Sequence, residues 1–266
     1  MGVVVNHQGA AQILTGNQIA SLLLNEILYT LSQANKLPQK GACVKSIVTT
    51  DLFKAIAEAH HLECYEVLPG FKYIAQWIRT WESEENSPQF LFGAEESYGY
   101  LYGTQARDKD AIGASLLIAE TALRAKLEGK TLVDLLHEIY LQYGIYHEEV
   151  LSVGFDPGKI GSEKMTAAMK SLRDNPPTSI SGLKVESSED FLDDQARPAT
   201  LPSTNMLIYR LEGGSRLMVR PSGTEPKIKI YCGLVEKAEG NLQESIHHAE
   251  STAKALLEEF KSLLSS

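Results

Sequence analysis

The stretch Arg220-Pro221-Ser222-Gly223-Thr224-Glu225-Pro226-Lys227 gathers in one short loop the donors that an anion requires. Arg220 offers a planar fork that matches two oxygens of a phosphate or carboxylate, and Ser222 and Thr224 add hydroxyl donors. Gly223 has no side chain to stop the backbone N–H groups from turning inward, while Pro221 and Pro226 stiffen the flanks. Lys227 can assist with a second positive charge. Ser215–Val219 before the loop and Ile228–Cys232 after it alternate polar and apolar residues, so the loop belongs at a corner between two strands. Each charge-assisted hydrogen bond made there contributes roughly 1.5–3 kcal/mol, enough for a few together to hold a phosphate. An ordinary Pro/Gly turn with a solvated arginine fits the same residues.

A second cluster follows the apolar run Gln89–Gly93. In Ala94-Glu95-Glu96-Ser97-Tyr98-Gly99-Tyr100, two carboxylates and a hydroxyl at a strand end can accept from and donate to the vicinal hydroxyls of a sugar. The plainer alternative has one glutamate capping a helix and the other facing water. Upstream, Gly70 in Leu68-Pro69-Gly70-Phe71-Lys72-Tyr73 permits a close approach at another strand's carboxyl end, where open α/β sheets place ligands. Downstream, Lys109 in Arg107-Asp108-Lys109-Asp110 can reach a phosphate. That lysine opposes a cation, so Asp108 and Asp110 are read as helix caps and ion-pair partners. None of the three cysteines, Cys43, Cys64 and Cys232, forms a CxxC pair, and reduced, buried thiols in a cytosolic protein are expected.

These residues need elements to position them. Gly2–Asn6 reads as a buried strand and His7–Gly9 as a polar turn. Thr15 with Gln18 makes a capping box for an amphipathic helix to about Asn35. A strand at Cys43–Val48, a helix from Thr50/Asp51 to His60 and a strand at Glu63–Val67 then give β-α-β spacing and a largely parallel sheet. Helices from Ile74 to about Trp81 and from Ala111 to about Leu127 follow. In the latter Ile112, Leu116, Ile118, Ala119, Leu123 and Leu127 recur at mostly helical spacing. Thr131 with Asp134 opens the next helix, which ends at Gly144. His147–Phe155 is extended, and a short helix from Gly161 with Met165, Met169 and Leu172 on one face reads as a hinge. Strands near 183–186, 206–211, 216–219 and 228–234, with hairpin chemistry at Glu212–Ser215, make a chiefly antiparallel sheet. A helix capped by Asn241 covers it with Leu242, Ile246, Ala249, Ala253, Leu256 and Phe260.

The fold class is therefore α/β: a layered domain with a mostly parallel sheet, then a smaller α+β domain whose antiparallel sheet lies under the last helix. The boundaries expected are 1–148 and 149–266. The balance of 25 basic against 34 acidic residues, a formal charge of −9, leaves no general surface for nucleic acid or an acidic membrane. No apolar run reaches the length of a membrane span.

Taken together, the Gly70-Phe71-Lys72, Gly93–Gly99, Arg107–Asp110 and Arg220–Lys227 motifs resemble, in order and separation, the latter half of the α-D-phosphohexomutases. Within these phosphoglucomutases and phosphomannomutases, the chain looks closest to the phosphoglucomutase/phosphopentomutase branch. The resemblance implies an enzyme, an isomerase acting by intramolecular phosphate transfer. A phosphoserine would interconvert sugar 1-phosphate and 6-phosphate, glucose foremost, through glucose 1,6-bisphosphate with Mg2+. It implies that Glu95 and Ser97 hold sugar hydroxyls beside Gly70 and that Lys109 lies near the reacting phosphate. Arg220, Ser222, Gly223 and Thr224, assisted by Lys227, would grip the other phosphate. Two family patterns, a Ser-His-Asn-Pro-like serine loop and an Asp-x-Asp-x-Asp-Arg magnesium loop, do not occur among these residues. The expectation is a cytoplasmic C-terminal half that takes a sugar phosphate, lacks catalytic residues and metal ligands of its own, and works with N-terminal domains in cis or in trans. A non-catalytic sugar-phosphate-binding regulatory or partner protein is the alternative. Many relatives carry Thr before Gly-Phe-Lys, and Pro69 here removes that hydroxyl.

Overall fold

A computed structural model describes residues 1–264. The chain divides into two compact units, Met1–Tyr143 and Gly144 onward. In the first, β1 (Val3–His7) and β2 (Ala10–Leu14) form an antiparallel two-stranded hairpin turned by Gln8 and Gly9, both left-handed at φ 51° and 83°. The expected buried strand is therefore corrected. Its alternate residues face outward, with Val4 66% exposed, and its partner strand was hidden because the turn reads as an approach to the next helix.

The capping box forms as expected: Thr15 Oγ1 accepts from Gln18 N, Gln18 Oε1 accepts from Thr15 N, and α1 (Gly16–Gln33) begins there. A four-stranded sheet follows, with β3 (Gly41–Ser46) and β4 (Glu63–Val67) separated by α2 (Asp51–Ala59). After α3 (Phe71–Ser83) come β5 (Gln89–Glu95) and β6 (Gly99–Tyr102). The strand order is β4-β3-β5-β6, with β3 parallel to both neighbours and β6 antiparallel to β5. One crossover from β3 steps to β4 and the next returns past β3 to β5, so the carboxyl ends of three strands meet where the order reverses. On one face Ala42, Val44, Val67 and Phe90 pack with Phe71, Ile74, Ile78 and Trp81 of α3. Elsewhere in the core Phe92 stacks with Phe53 and Tyr100.

Helices α4 (Ala111–Leu127) and α5 (Leu132–Tyr143) complete the unit. Asp110 caps α4, its Oδ1 accepting from Ile112 N and Gly113 N, and the Thr131–Asp134 box caps α5. The residues α4 buries are Ala114, Ile118, Thr121 and Ala125, whereas Ile112, Leu116, Leu123 and Leu127 are exposed. Its small residues let it approach α1 closely, and its larger ones point outward.

The second unit is one six-stranded antiparallel sheet, ordered β7-β12-β11-β10-β9-β8: β7 (Ile145–Gly154), β8 (Ser179–Ile180), β9 (Leu183–Asp190), β10 (Leu207–Leu211), β11 (Arg216–Pro221) and β12 (Lys227–Glu236). The extended segment is thus the edge strand β7, paired along its length with β12. The helix read as a hinge, α6 (Lys159–Asp174), lies within this unit and buries Ala168, Met169 and Leu172. Helix α7 (Leu242–Leu263) covers the sheet, with Phe260 against Tyr209. Cys43 and Cys232 are buried, no cysteine is in a disulfide, and burial pushes the Cys232 thiol up to about 12. No helix among the described residues is long and apolar enough to cross a membrane.

Candidate functional site

In the first unit the crossover brings together loops far apart in sequence. Glu95, the last residue of β5, is 5% exposed, and its Oε1 accepts from Gly70 N at 2.6 Å. Gly70 is the N-cap of α3 at φ 131°, a backbone conformation that other residues adopt only under strain. The glutamate therefore meets a helix start, as the plainer reading allowed, and its other oxygen remains within 3.5 Å of Lys109 Nζ. The ammonium of Lys109 also sits 4.8 Å over the Phe71 ring and 3.4 Å from Asp108 Oδ1, and its stem runs through space that Gly99 leaves open. Gly70, Glu95 and Lys109 thus form one charged cluster at the carboxyl end of the sheet. Ser97 is exposed in the three-residue turn that follows, closed by Tyr98 at φ 64°.

Strand alternation sends the next carboxylate elsewhere. Glu96 Oε2 accepts from Ser46 Oγ at 3.0 Å and Thr49 Oγ1 at 3.4 Å, and Glu96 N donates to Thr49 Oγ1 at 3.1 Å. The Ser46–Thr50 loop is anchored in turn by Lys45, fully buried, whose ammonium meets Glu66 at 2.7 Å, Asp51 at 3.0 Å and Thr49 O at 3.1 Å. Both supports escaped the sequence reading, where Glu96 was equivalent to Glu95 and Lys45 was one more residue of a strand.

Burial holds the Glu96 carboxyl above the ordinary carboxylate range; Glu95 adds to the rise, and the backbone amide, Ser46 and Thr49 oppose it. A raised folded-state value means that this group's favourable contribution is complete at low pH. It is lost as pH climbs through that value. Glu96→Gln, which keeps an acceptor and carries no charge, is expected to gain stability relative to the parent from about pH 4 to pH 7. Urea unfolding across that range checks it; a constant difference contradicts the assignment.

The turn also has a backbone neighbour. A Cβ on Gly16, the first residue of α1, would lie 1.8 Å from Glu96 O and 2.7 Å from its carbonyl carbon. Gly16→Ala is expected to destabilise the protein by about 1–3 kcal/mol and to move the Glu95–Tyr98 turn. Gly2→Ala, with nothing within 4 Å, is the neutral control in the same denaturant titration.

In the second unit the Arg220–Lys227 loop closes the β11–β12 hairpin. Pro221 pairs with Ile228, Ser222 N donates to Lys227 O at 2.8 Å, and Phe155 N donates to Pro226 O at 2.8 Å. The Ser222 and Thr224 hydroxyls lie 3.5 Å apart on one side of the turn. Gly223 needs no left-handed backbone, contrary to the reason first assigned to it, and a Cβ there would meet nothing within 4 Å. Its contribution is open space in front of the amides. Arg220, Pro221, Ser222 and Gly223 form one wall of a cleft of about 310 Å³, closed by Met165, Thr166 and Met169 of α6 and by Thr204 and Asn205.

Charge pairing distinguishes Arg220 from its neighbours. Arg173 is held by Asp190 and Asn205, Arg197 by Asp194, Arg210 by Glu189, and Lys227 by Glu225. Among the described residues Arg220 has no hydrogen bond or ion pair, although it is only half exposed and lines the cleft. A guanidinium left without an acceptor beside two hydroxyls is suited to an anion. Among the same residues, no group of three or more His, Cys, Asp or Glu side chains could hold a metal.

Comparison with known proteins agrees with this geometry. Residues 15–143 match the family described as "Phosphoglucomutase/phosphomannomutase, alpha/beta/alpha domain III", and residues 169–245 its "C-terminal domain". The phosphoglucomutase of Staphylococcus aureus (strain USA300) is 40% identical over 227 residues, which are 82% of this chain and 40% of that protein. That of Staphylococcus epidermidis is 40% identical over 236 residues, 85% and 41% respectively. The chain thus spans about two-fifths of the length of these relatives. In fold it resembles the open form of the Paramecium phosphoglucomutase parafusin, with a TM-score of 0.61 at 18% identity over 91% of this chain and 41% of that one. A putative phosphomannomutase from Thermus thermophilus gives 0.58 at 19%, covering 96% and 41%. The sheet orders, the paired domain matches and the residues at both loops have one explanation: this chain belongs to the phosphoglucomutase/phosphomannomutase family of α-D-phosphohexomutases and corresponds to its third and C-terminal domains.

Proposed function

We propose that this chain supplies the sugar- and phosphate-binding half of a phosphohexomutase that interconverts sugar 1-phosphate and 6-phosphate, with glucose as the principal sugar. The observation that carries this reading is the unpaired Arg220 guanidinium in the cleft beside Ser222, Gly223 and Thr224. Arg220 binds the nonreacting phosphate in a fork, the two hydroxyls and the loop amides fill its remaining oxygens, and Lys227 adds charge. Glu95 and Ser97 take the sugar hydroxyls next to Gly70, and Lys109 stands near the reacting phosphate.

Binding at a phosphate remote from the chemistry is physically useful. It orients the sugar at the reacting centre, and one cradle can serve either phosphate once the bisphosphate intermediate has turned round. The phosphoryl group would come from a serine outside these residues. Mg2+ would neutralise charge there; the described side chains do not fit a magnesium site, so none of the roles given to this chain passes through the metal. The position of the amino end supports the reading: the Met1 amino group donates to Tyr98 O at 3.0 Å, so a segment joined ahead of it emerges beside the Glu95–Tyr98 turn. Cysteines without disulfides suit the cytoplasm, which we include in the proposal.

The chain by itself is expected to bind sugar phosphate and not to turn it over. Conversion of glucose 1-phosphate to glucose 6-phosphate by the purified chain, followed with a coupled dehydrogenase, tests this. Sustained turnover proportional to protein would contradict it.

A further inference from the structure

Helix α4 has two apolar faces. The inner one, Ala114, Ile118, Thr121 and Ala125, is buried in the unit. On the outer one Ile112, Leu116, Leu123 and Leu127 are 86%, 63%, 58% and 80% exposed, with exposed Ala119 at the midpoint. Their spacing draws one stripe along the helix, the pattern that a second helix or sheet covers in a folded protein. Arg124 is committed to Glu26 and Glu128, so it does not break the stripe with a free charge. The β1–β2 hairpin adds to it. Val4 and Ile13 stand directly opposite each other and are 66% and 72% exposed, on a two-stranded sheet that pairs with no other strand among the described residues. Two strands alone bury too little to be stable. The hairpin is tied to the same side of the unit, His7 Nδ1 lying 2.9 Å from Thr131 Oγ1 just past the end of α4.

Residues 1–14 fall ahead of the matched third domain, and the relatives carry about three-fifths of their length outside the matched region. We propose that the outer stripe of α4, together with Val4 and Ile13, is the docking surface for the earlier domains of the family's chain, covalently joined or separate. The occupant is a folded α/β body that presents an apolar face to α4 and extends the β1–β2 sheet. This rests on the functional reading above, and phosphate titration of the chain alone checks that reading independently, because the Arg220 cleft is formed wholly within the second unit.

The test places single reporters, Ala119→Cys in the stripe and Ala255→Cys on the exposed face of α7 as a control. Maleimide labelling is timed for the chain alone and for the chain co-expressed and co-purified with the part of the S. aureus phosphoglucomutase that precedes the matched region. Both positions should label rapidly in the chain alone. In the complex Ala119→Cys should slow by at least about ten-fold while Ala255→Cys is unchanged. The proposal is overturned by equal labelling at Ala119→Cys in the complex, by failure of the two polypeptides to co-purify, or by protection that rises with the concentration of this chain alone. The last result would assign the surface to a second copy.

Discussion

Arg220→Ala is expected to lose inorganic phosphate and glucose 6-phosphate binding by roughly 100- to 1000-fold, with the melting temperature unchanged. Two charge-assisted bonds to a phosphate, at about 1.5–3 kcal/mol each, account for the loss. The unchanged stability follows because the guanidinium has no partner to lose among the described residues. Arg220→Lys keeps the charge and loses the fork, so it should recover only part of the affinity. Calorimetric titration and a thermal scan on the same preparations separate this account from a structural arginine, whose removal would lower the melting temperature as well.

A second large effect is expected at Lys45, through stability. Its side chain is fully buried with Glu66, Asp51 and Thr49 O around the ammonium, and its loop carries the hydroxyls that hold Glu96. Removing one member of such a group leaves carboxylates without a counter-charge. Lys45→Ala should cost about 3 kcal/mol or more in urea unfolding and weaken sugar binding through the displaced Ser46–Thr50 loop. Lys45→Met, which fills the volume without the charge, should cost less than the alanine variant at acid pH, where Glu66 and Asp51 accept protons. Equal losses for the two variants at all pH values would mean that packing, not charge, is what Lys45 provides.

Much of the architecture could be read from local chemistry. The Thr15–Gln18 and Thr131–Asp134 boxes start helices where expected, and the Glu63–Val67 strand has the expected bounds. Those signals depend on neighbours in sequence. The direction of the α4 stripe depends on neighbours in space: periodicity defines a stripe but not what covers it, and here the smaller side chains are the buried ones. The second hairpin strand was missed because Ala10–Leu14 alternates weakly and a two-residue turn resembles a loop. At the site, Gly70, Glu95 and Lys109 were identified by type, and the structure brings them together. The separate work of Glu95 and Glu96 required the pleat to be known, since alternation at the end of β5 aims one at Gly70 and the other at Thr49. The Arg220 loop was legible as an anion cradle; the missing partner of its arginine was not, because pairing is set by which acidic side chains the sheet register brings near.

The most direct measurement is diffraction from crystals of the chain soaked with glucose 6-phosphate. The account predicts phosphate density in the cleft of Arg220, Ser222, Gly223 and Thr224, with the guanidinium turned onto two of its oxygens. Density elsewhere, with Arg220 in solvent and its loop empty at saturating ligand, would contradict it.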